Sequence, residues 1–257
     1  MRPGQRHEEI VRLVQKAGEV PVEDLAERLG VSRETIRRDL AWLDAAGRVR
    51  KFHGGARAQS ARAAGLAAEG PFASRLADRP RAKRRIAARA AALLAPGDSL
   101  FIDTGTTTLM FAESLVGLSN LVVITNSWRI AATVSANASH KVFLIGGAYG
   151  ADAGETLGRF AVDQIRRFRA GHAFLTIGAA NEAAVMDFDA QETEIAQAMI
   201  ERVERVTVLA DTAKFARGGV FDVAPWTAID RLVTDGEPPL AIGEAMAAAG
   251  VEIIDAG

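Results

Sequence analysis

Two groups of side chains in this 257-residue sequence are of types that could do chemistry. The first is a set of guanidinium groups, Arg33, Arg37 and Arg38, in the stretch VSRETIRRDLAWL from Val31 to Leu43. The planar fork of arginine grips a phosphate, or the O6/N7 edge of guanine, with two hydrogen bonds, so this group points to nucleic acid. The second is Asp103-Thr104-Gly105-Thr106-Thr107-Thr108. Here a glycine permits a tight turn, hydroxyls can donate, and a helix starting at this point would aim free N–H groups at an anion. That would be a phosphate cradle; the alternative is an ordinary threonine-rich helix cap. No Lys-Ser or Lys-Thr follows the glycine, and no G-x-G-x-x-G run is present, so neither nucleotide fingerprint applies.

Further chemistry gathers where other apolar runs end. Asn126 sits in Thr125-Asn126-Ser127, Gly147 in Gly146-Gly147, and Lys214 in Asp211-Thr212-Ala213-Lys214-Phe215. Small, hydrogen-bonding or cationic residues at successive run ends converge on a polar ligand pocket. Taken alone, Lys214 reads equally as a surface lysine. The four histidines, His7, His53, His140 and His172, are scattered without ligand spacing, and no metal or cofactor is expected. With no cysteine, disulfides and thiol catalysis are excluded, which suits a reducing cytoplasm.

The elements that must position the guanidinium groups follow from apolar spacing. Ile36, Leu40 and Leu43 recur at i, i+4 and i+7, giving a helix with one buried stripe and the arginines on other faces. Ser32 caps its first turn and Glu34 lies near the positive end of its dipole. Ile10, Leu13, Val14 and Ala17 form an earlier stripe, and Leu25, Ala26 and Leu29 another that stops at Gly30. Leu29 to Ser32 has the length and composition of a helix-turn-helix corner. After Gly47, RVRKFHGGA alternates into Gly54-Gly55 like a short hairpin, so a winged helix-turn-helix is expected over residues 1–57. From Arg33 to Arg57 seven basic residues face three acidic ones in a chain of net charge -1. A surplus so concentrated fits a phosphate-backbone footprint, against the alternative of a solvated helix face.

Residues 58–75, small and without period, read as a linker. From Arg81 a helix is expected to run to Pro96-Gly97, with Lys83, Arg84 and Arg85 on a solvated face. The runs SLFID, LVVIT, VFLIG, AFLTIG, VTVLA, RLVTD and VEIID are short, apolar and rich in β-branched residues, and helical spacing separates most of them. Continuous apolar strands alternating with helices imply a largely parallel sheet covered on both faces, a Rossmann-like α/β domain over 76–257. Ligands of such sheets bind beyond the carboxyl ends of the strands. Neither a signal peptide nor a membrane span is expected.

VSRETIRRDLAWLDAAGRVRKFHGGA resembles the N-terminal signature of the DeoR family of bacterial transcriptional regulators, a TIRRDL recognition helix followed by a wing ending in HGGA. The resemblance implies that Ser32, Arg33, Thr35, Arg37 and Arg38 sit on or beside operator DNA and that Arg50, Lys51 and His53 belong to the wing. A lone His beside a Gly-Gly turn also reads as a hydrogen-bonded structural residue. LFIDTGTTT, VITNS, IGG and LADTAKF are similar, in the same order, to motifs of the family's sensor domain. That domain is of the sugar-phosphate-isomerase type and binds phosphorylated sugars or polyols, which implies an effector site lined by Asp103, Gly105, Thr106, Thr107, Asn126, Gly147 and Lys214. Phe188-Asp189 followed by Glu192 is similar to the branch responding to glycerol-3-phosphate, although Ala213 and Ala216 depart from the family's usual Ser and Gly.

The expectation is a homo-oligomeric repressor of sugar or polyol catabolism genes, released from DNA by a phosphorylated metabolite. The rival is a sugar-phosphate isomerase carrying a DNA-binding head. Asp103, Asp187, Asp189, Glu192, Asp211 and Lys214 would then supply a general base and an electrophilic lysine. No two of these carboxylates are spaced in a way that demands catalysis, and Asp187 and Asp189 also read as helix caps.

Overall fold

The computed structural model describes residues 3–17, 19–45, 48–52, 54–57 and 69–257. The chain divides into two compact units, Met1–Gly70 and Pro71–Gly257. In the first, α1 (Pro3–Ala17), β1 (Glu19–Pro21), α2 (Val22–Leu29) and α3 (Arg33–Ala45) precede a hairpin of β2 (Arg50–Phe52) and β3 (Gly55–Arg57). Gly30 closes α2 in the left-handed conformation (φ 64°, ψ 36°), and its N–H donates back to the carbonyls of Ala26 and Glu27. Two residues later Ser32 Oγ accepts the Thr35 N–H at 3.1 Å and opens α3. Ile10, Val14, Leu25, Ile36, Leu40 and Leu43 are wholly buried in one core. β3 pairs antiparallel with both β2 and β1, making a three-stranded sheet. The third strand has no visible signal in the sequence, because EVP is three residues long and contributes only Val20 to the core.

The second unit opens with α4 (Phe72–Ala77) and α5 (Pro80–Ala91), then β4 (Ser99–Ile102), α6 (Thr106–Leu115), β5 (Val122–Thr125), α7 (Trp128–Val134) and β6 (Lys141–Leu144). A hairpin of β7 (Ala148–Gly150) and β8 (Glu155–Leu157) leads to α8 (Arg159–Ile165) and β9 (Ala170–Leu175). There follow β10 (Ala179–Ala180), β11 (Ala184–Asp187), α9 (Ala190–Ile200), β12 (Val203–Leu209), β13 (Phe221–Pro225), β14 (Arg231–Thr234), α10 (Leu240–Ala249) and β15 (Glu252–Asp255). Seven strands form one parallel sheet in the order β15-β14-β12-β9-β4-β5-β6. They coincide with the seven apolar runs of the sequence, because strands buried on both faces must be apolar throughout. On one face Leu100, Ile102, Val123 and Phe174 pack against α5, α6 and α7. On the other, Phe101, Ile124, Ala173 and Leu175 meet α8, α9 and α10. This is a Rossmann-like α/β domain.

The chain builds outward from β4 through β5 to β6, then returns and builds the other way from β9. The sheet order therefore reverses between β4 and β9, and a crevice opens beyond their carboxyl ends.

Two readings of the sequence need correction. The helix expected to reach Pro96-Gly97 stops at Ala91, with Ala92 as its cap. Lys83 is not solvated: it is buried and donates to the Arg75 carbonyl of α4, a contact made from outside its own helix. Of the stretch read as linker, 58–68 lies outside the described residues, and Phe72–Ala77 is helical with Phe72 buried. Among the described residues no helix is long and apolar enough to cross a membrane.

Candidate functional site

In the first unit α3 presents an exposed arginine face. Arg33, Arg37 and Arg38 keep 65%, 61% and 81% of their side-chain surface, in loose pairs with Glu23 at 3.4 Å and with Glu34 at 3.8 and 3.7 Å. Exposed pairs of this kind contribute only about 0.2–1 kcal/mol each, so the guanidinium groups can turn to a phosphate or base edge at little cost. Ser32 is exposed at the same end, while Thr35 is half-buried with its hydroxyl 2.9 Å from Ser32 Oγ. Lys51 is exposed on β2, its N–H held by Asp44 Oδ1 at 3.0 Å. Arg50 lies on β2 opposite Arg57, and His53 lies outside the described residues. Arg48 is drawn away from this face by a two-pronged bond to Glu8, both contacts at 2.8 Å.

The buried side of α3 carries an acid that the sequence reading passed over. Asp39 takes Arg6 Nε at 2.6 Å and Nη2 at 3.2 Å, and His7 Nε2 lies 2.8 Å from its Oδ1. His7 in turn stacks on Trp42, with ring centroids 4.5 Å apart. The group pins α1 to α3. Burial works to raise the Asp39 pKa, but the hydrogen bonds from Arg6 and His7 outweigh it and hold the carboxyl below its ordinary range.

In the second unit a cleft of ≈ 260 Å³, including the part open to solvent, is lined by Asp103, Thr104, Asn126, Glu155, Asp187, Glu192, Ile195 and Ala196. Asp103 follows β4 and bridges the crevice, its Oδ2 accepting the Thr176 N–H beyond β9 at 2.8 Å. Asn126 follows β5; its Oδ1 accepts from Thr104 Oγ1 and its amide donates to the Thr156 carbonyl, both at 3.1 Å. Gly105, Thr106 and Thr107 open α6 immediately beside this group. Gly105 has no side chain to cap the helix, and its extended backbone (φ −174°) is open to any residue. What requires glycine is space, since a Cβ would run into Thr176 Oγ1. The first N–H groups of α6 are thus uncapped by any side chain. Thr106 and Thr107 are 7% and 4% exposed, and their hydroxyls have no hydrogen-bond partner among the described residues.

The sequence-derived set therefore divides. Asp103 and Asn126 line the cleft and Gly105, Thr106 and Thr107 adjoin it. Gly147 lies apart from the lining, its Cα so close to β8 that a Cβ would sit 2.6 Å from the Leu157 carbonyl. Lys214 lies on a 3-10 turn, Thr212–Ala216, beyond β12. Glu155 was missed altogether because it comes from a hairpin with no strong pattern.

Residues 6–62 match the DeoR-like helix-turn-helix domain, and residues 78–236 match the DeoR C terminal sensor domain. The chain belongs to the DeoR family of transcriptional regulators. It is 32% identical over 243 residues to the glycerol-3-phosphate regulon repressor of Escherichia coli K12, covering 94% of each chain. It is 29% identical over 251 residues to the transcriptional repressor CsqR of the same organism, covering 97% of this chain and 94% of that one. Against the regulator GlpR of Haloferax volcanii it is 30% identical over 256 residues, covering 99% and 98%. Among solved structures it is similar to eIF2B beta from Chaetomium thermophilum, at 19% identity and a TM-score of 0.46 over 66% of this chain and 54% of that one. As a DeoR-family member it is a DNA-binding regulator, and its Rossmann-like unit is a sensor domain and not an isomerase appended to a DNA-binding head.

A second polar group in this DeoR sensor domain ties its first helices to the sheet. Arg79, in the left-handed region at φ 48°, donates to Asp211 Oδ1 at 2.8 Å and to Thr212 Oγ1 and Asp235 Oδ2 at 3.0 Å. Lys83 is buried beside it. Burial lowers the Lys83 pKa, Asp211 and Asp78 work against that, and the charge of Lys214 adds to the lowering.

The cleft carboxyls carry a pH signature. Burial pushes Asp103 well above its ordinary value; the Thr176 N–H opposes this, and the carboxylates of Asp187 and Glu155 reinforce it. Burial likewise raises Glu155 from 4.5 to about 7, against hydrogen bonds with Glu192 and Thr104. Between these two values the folded chain holds a proton that the unfolded chain has lost. The stability Glu155 contributes is present below pH 4.5 and is lost as pH rises through about 7. Glu155→Gln is expected to exceed the wild type in stability near pH 8 by about 1–3 kcal/mol and to flatten this decline. Urea unfolding at two pH values reads the effect, and an unchanged decline would place the proton on another group.

Proposed function

We propose that the protein represses genes of sugar or polyol catabolism and leaves its operator when a phosphorylated metabolite, of the glycerol-3-phosphate or sugar-phosphate class, occupies the cleft of the sensor domain. The observation that carries this reading is the uncapped start of α6 at the strand-order reversal, with two buried threonine hydroxyls left without partners. Backbone N–H groups at a helix start, together with the dipole, favour a phosphate. The relatives named as glycerol-3-phosphate regulon repressors support the metabolite class.

On the DNA side, Ser32, Arg33, Thr35, Arg37 and Arg38 form the recognition surface, and Arg50, Lys51 and His53 form the wing. One winged head reads only a half-site, so the working form is a homo-oligomer on a two-fold related operator. In the sensor, Asp103, Gly105, Thr106, Thr107 and Asn126 hold the effector, with Lys214 as a cationic contact and Gly147 as the close-packed turn beside the wall.

Release requires tighter effector binding to the arrangement with low DNA affinity. Glu155 offers a route for that bias. It directly follows the turn 151–154, where the Phe72 N–H of α4 donates to Asp152 Oδ2 at 2.8 Å. Arg129 donates to the Ala153 carbonyl at 3.1 Å, with its guanidinium 5.3 Å from the Phe72 ring centroid. A ligand that shifts Glu155 therefore shifts α4, the first helix after the stretch that joins the two units.

The test is a mobility shift on the chain's own upstream DNA, titrated with glycerol-3-phosphate and a panel of sugar phosphates. One ester should release the DNA; DNA binding that no ester changes would remove the phosphate reading. Arg37→Ala or Arg38→Ala should weaken operator binding by about 1–3 kcal/mol, and unchanged affinity in both would displace the recognition surface from α3. Thr106→Val should raise the effector concentration needed for release about tenfold, the loss of one hydrogen bond to a charged group. An undiminished response would move the phosphate away from α6.

A further inference from the structure

Taking the effector to sit in this cleft as proposed above, we infer that Glu155, Asp187 and Glu192 select a phosphate ester whose other end carries hydroxyl groups and reject one whose other end carries a carboxylate. The polar lining has little to donate. Asn126 spends its amide on the Thr156 carbonyl, and Thr104 spends its proton on Asn126 Oδ1. No lysine or arginine is among the described residues that line the cleft, and its remaining polar groups are the carboxyls of Asp103, Glu155, Asp187 and Glu192. Asp103 already spends one oxygen on the Thr176 N–H, at the β4 side of the crevice. That leaves Glu155 on β8, Asp187 on β11 and Glu192 on α9 to meet the far end of a ligand.

An ionised carboxylate only accepts hydrogen bonds, with room for about four across its two oxygens, so these residues ask the ligand for donors. Hydroxyl groups supply them, and an acid does not. A ligand carboxylate would bring like charge against like charge in a site largely closed to water, where such contacts discriminate strongly. The two ends of the ligand are sorted by separate features. The phosphate end has the α6 N–H groups and the buried, unpartnered hydroxyls of Thr106 and Thr107, next in the chain to Asp103 and Thr104. Ile195 and Ala196, one turn along α9 from Glu192, give the carbon skeleton an apolar wall. Asp189, close in sequence, takes no part in the selection: its Oδ1 caps α9 through the N–H groups of Gln191 and Glu192 at 2.7 and 3.1 Å.

The inference is tested by calorimetric titration of the full chain with matched esters. The three-carbon set is glycerol-3-phosphate, propyl phosphate and 3-phosphoglycerate; the six-carbon set is glucose-6-phosphate, hexyl phosphate and 6-phosphogluconate; inorganic phosphate is the common reference. In whichever set binds, the hydroxylated ester should bind at least about tenfold tighter than both its deoxygenated and its acid counterpart. Glu192→Gln and Asp187→Asn, each checked for an unaltered ligand-free melt, should narrow the rejection of the acid at least about threefold. A deoxygenated or acid ester that binds as well as the hydroxylated one overturns the inference and leaves the phosphate reading standing. If neither inorganic phosphate nor any ester binds, both fall. The wild-type series alone decides the matter should the variants fail to fold.

Discussion

Asp39→Asn should lower the melting temperature of the helix-turn-helix unit by about 10–20 °C while the transition of the sensor unit stays in place. Asn keeps the shape of Asp and removes its charge. Asp39 is 7% exposed, and the side chains of its partners Arg6 and His7 are 11% and 15% exposed. Removing one member of a buried ion pair strands the other without compensation, at about 3–5 kcal/mol where burial is complete and about 2–4 kcal/mol for a group slightly open to water. In a unit of this size each 1 kcal/mol moves the melting temperature by about 4–8 °C. The effect reaches function because the same bonds fix α3, and with it Arg33, Arg37 and Arg38, against α1. Operator affinity should fall with stability although Asp39 itself faces the core. A second reading separates charge from packing. Asp39 is held below its ordinary pKa, so its contribution is present above the unfolded value near 3.8 and is lost as pH falls through the lower folded value. Wild type and variant should therefore converge in acid. A melt that moves by less than about 2 °C would mean that the α1–α3 contact rests on the apolar core alone.

The contrast between Leu40 and Asp39 shows what the sequence makes legible. Leu40 belongs to a stripe at helical spacing, and burial follows from the period. Asp39 sits in the same heptad as an apparent surface acid, and only the packing of α1 supplies Arg6 and His7 from more than thirty positions away. Lys83 repeats the lesson. Its neighbour Arg84 is exposed as the helical period implies, but α4 folds back and covers Lys83. The seven parallel strands were readable because each is apolar on both faces. The β7–β8 hairpin and the β10-β11-β13 sheet were not, since they are two to five residues long and lack a sustained period. The cleft is composite for that reason. Asp103 and Asn126 follow strands with strong signals and could be picked out by position, whereas Glu155 and Asp187 lie on the weakly patterned strands, and only the tertiary fold brings them to Asp103.

Gly105→Ala is expected to raise the effector concentration needed for DNA release about 100-fold, a larger loss than removing any single hydroxyl. At φ −174° and ψ 169° alanine is as comfortable as glycine, so the backbone itself is not strained. The new Cβ would overlap Thr176 Oγ1 and stand 3.0 Å from both Thr176 Cβ and Cγ2, so a rotation of the hydroxyl alone gives no relief. Either Thr176 moves or the start of α6 moves. The first withdraws the N–H that holds Asp103 Oδ2 at 2.8 Å across the β4–β9 crevice; the second displaces the N–H groups proposed to bind phosphate. Two charge-assisted contacts weakened together, at about 1.5 kcal/mol each, give the two orders of magnitude. Overpacking of this kind also costs about 1–3 kcal/mol of sensor stability, which a melt without ligand measures separately. Thr176→Ala in the same chain removes Oγ1 and Cγ2 but keeps the backbone donor to Asp103, so the double variant should regain part of the response. Recovery there, after loss in the single variant, would tie the defect to this contact and not to a general loosening of the sheet. A Gly105→Ala chain that responds within twofold of the wild type would mean that neither the Asp103–Thr176 bridge nor the start of α6 meets the effector.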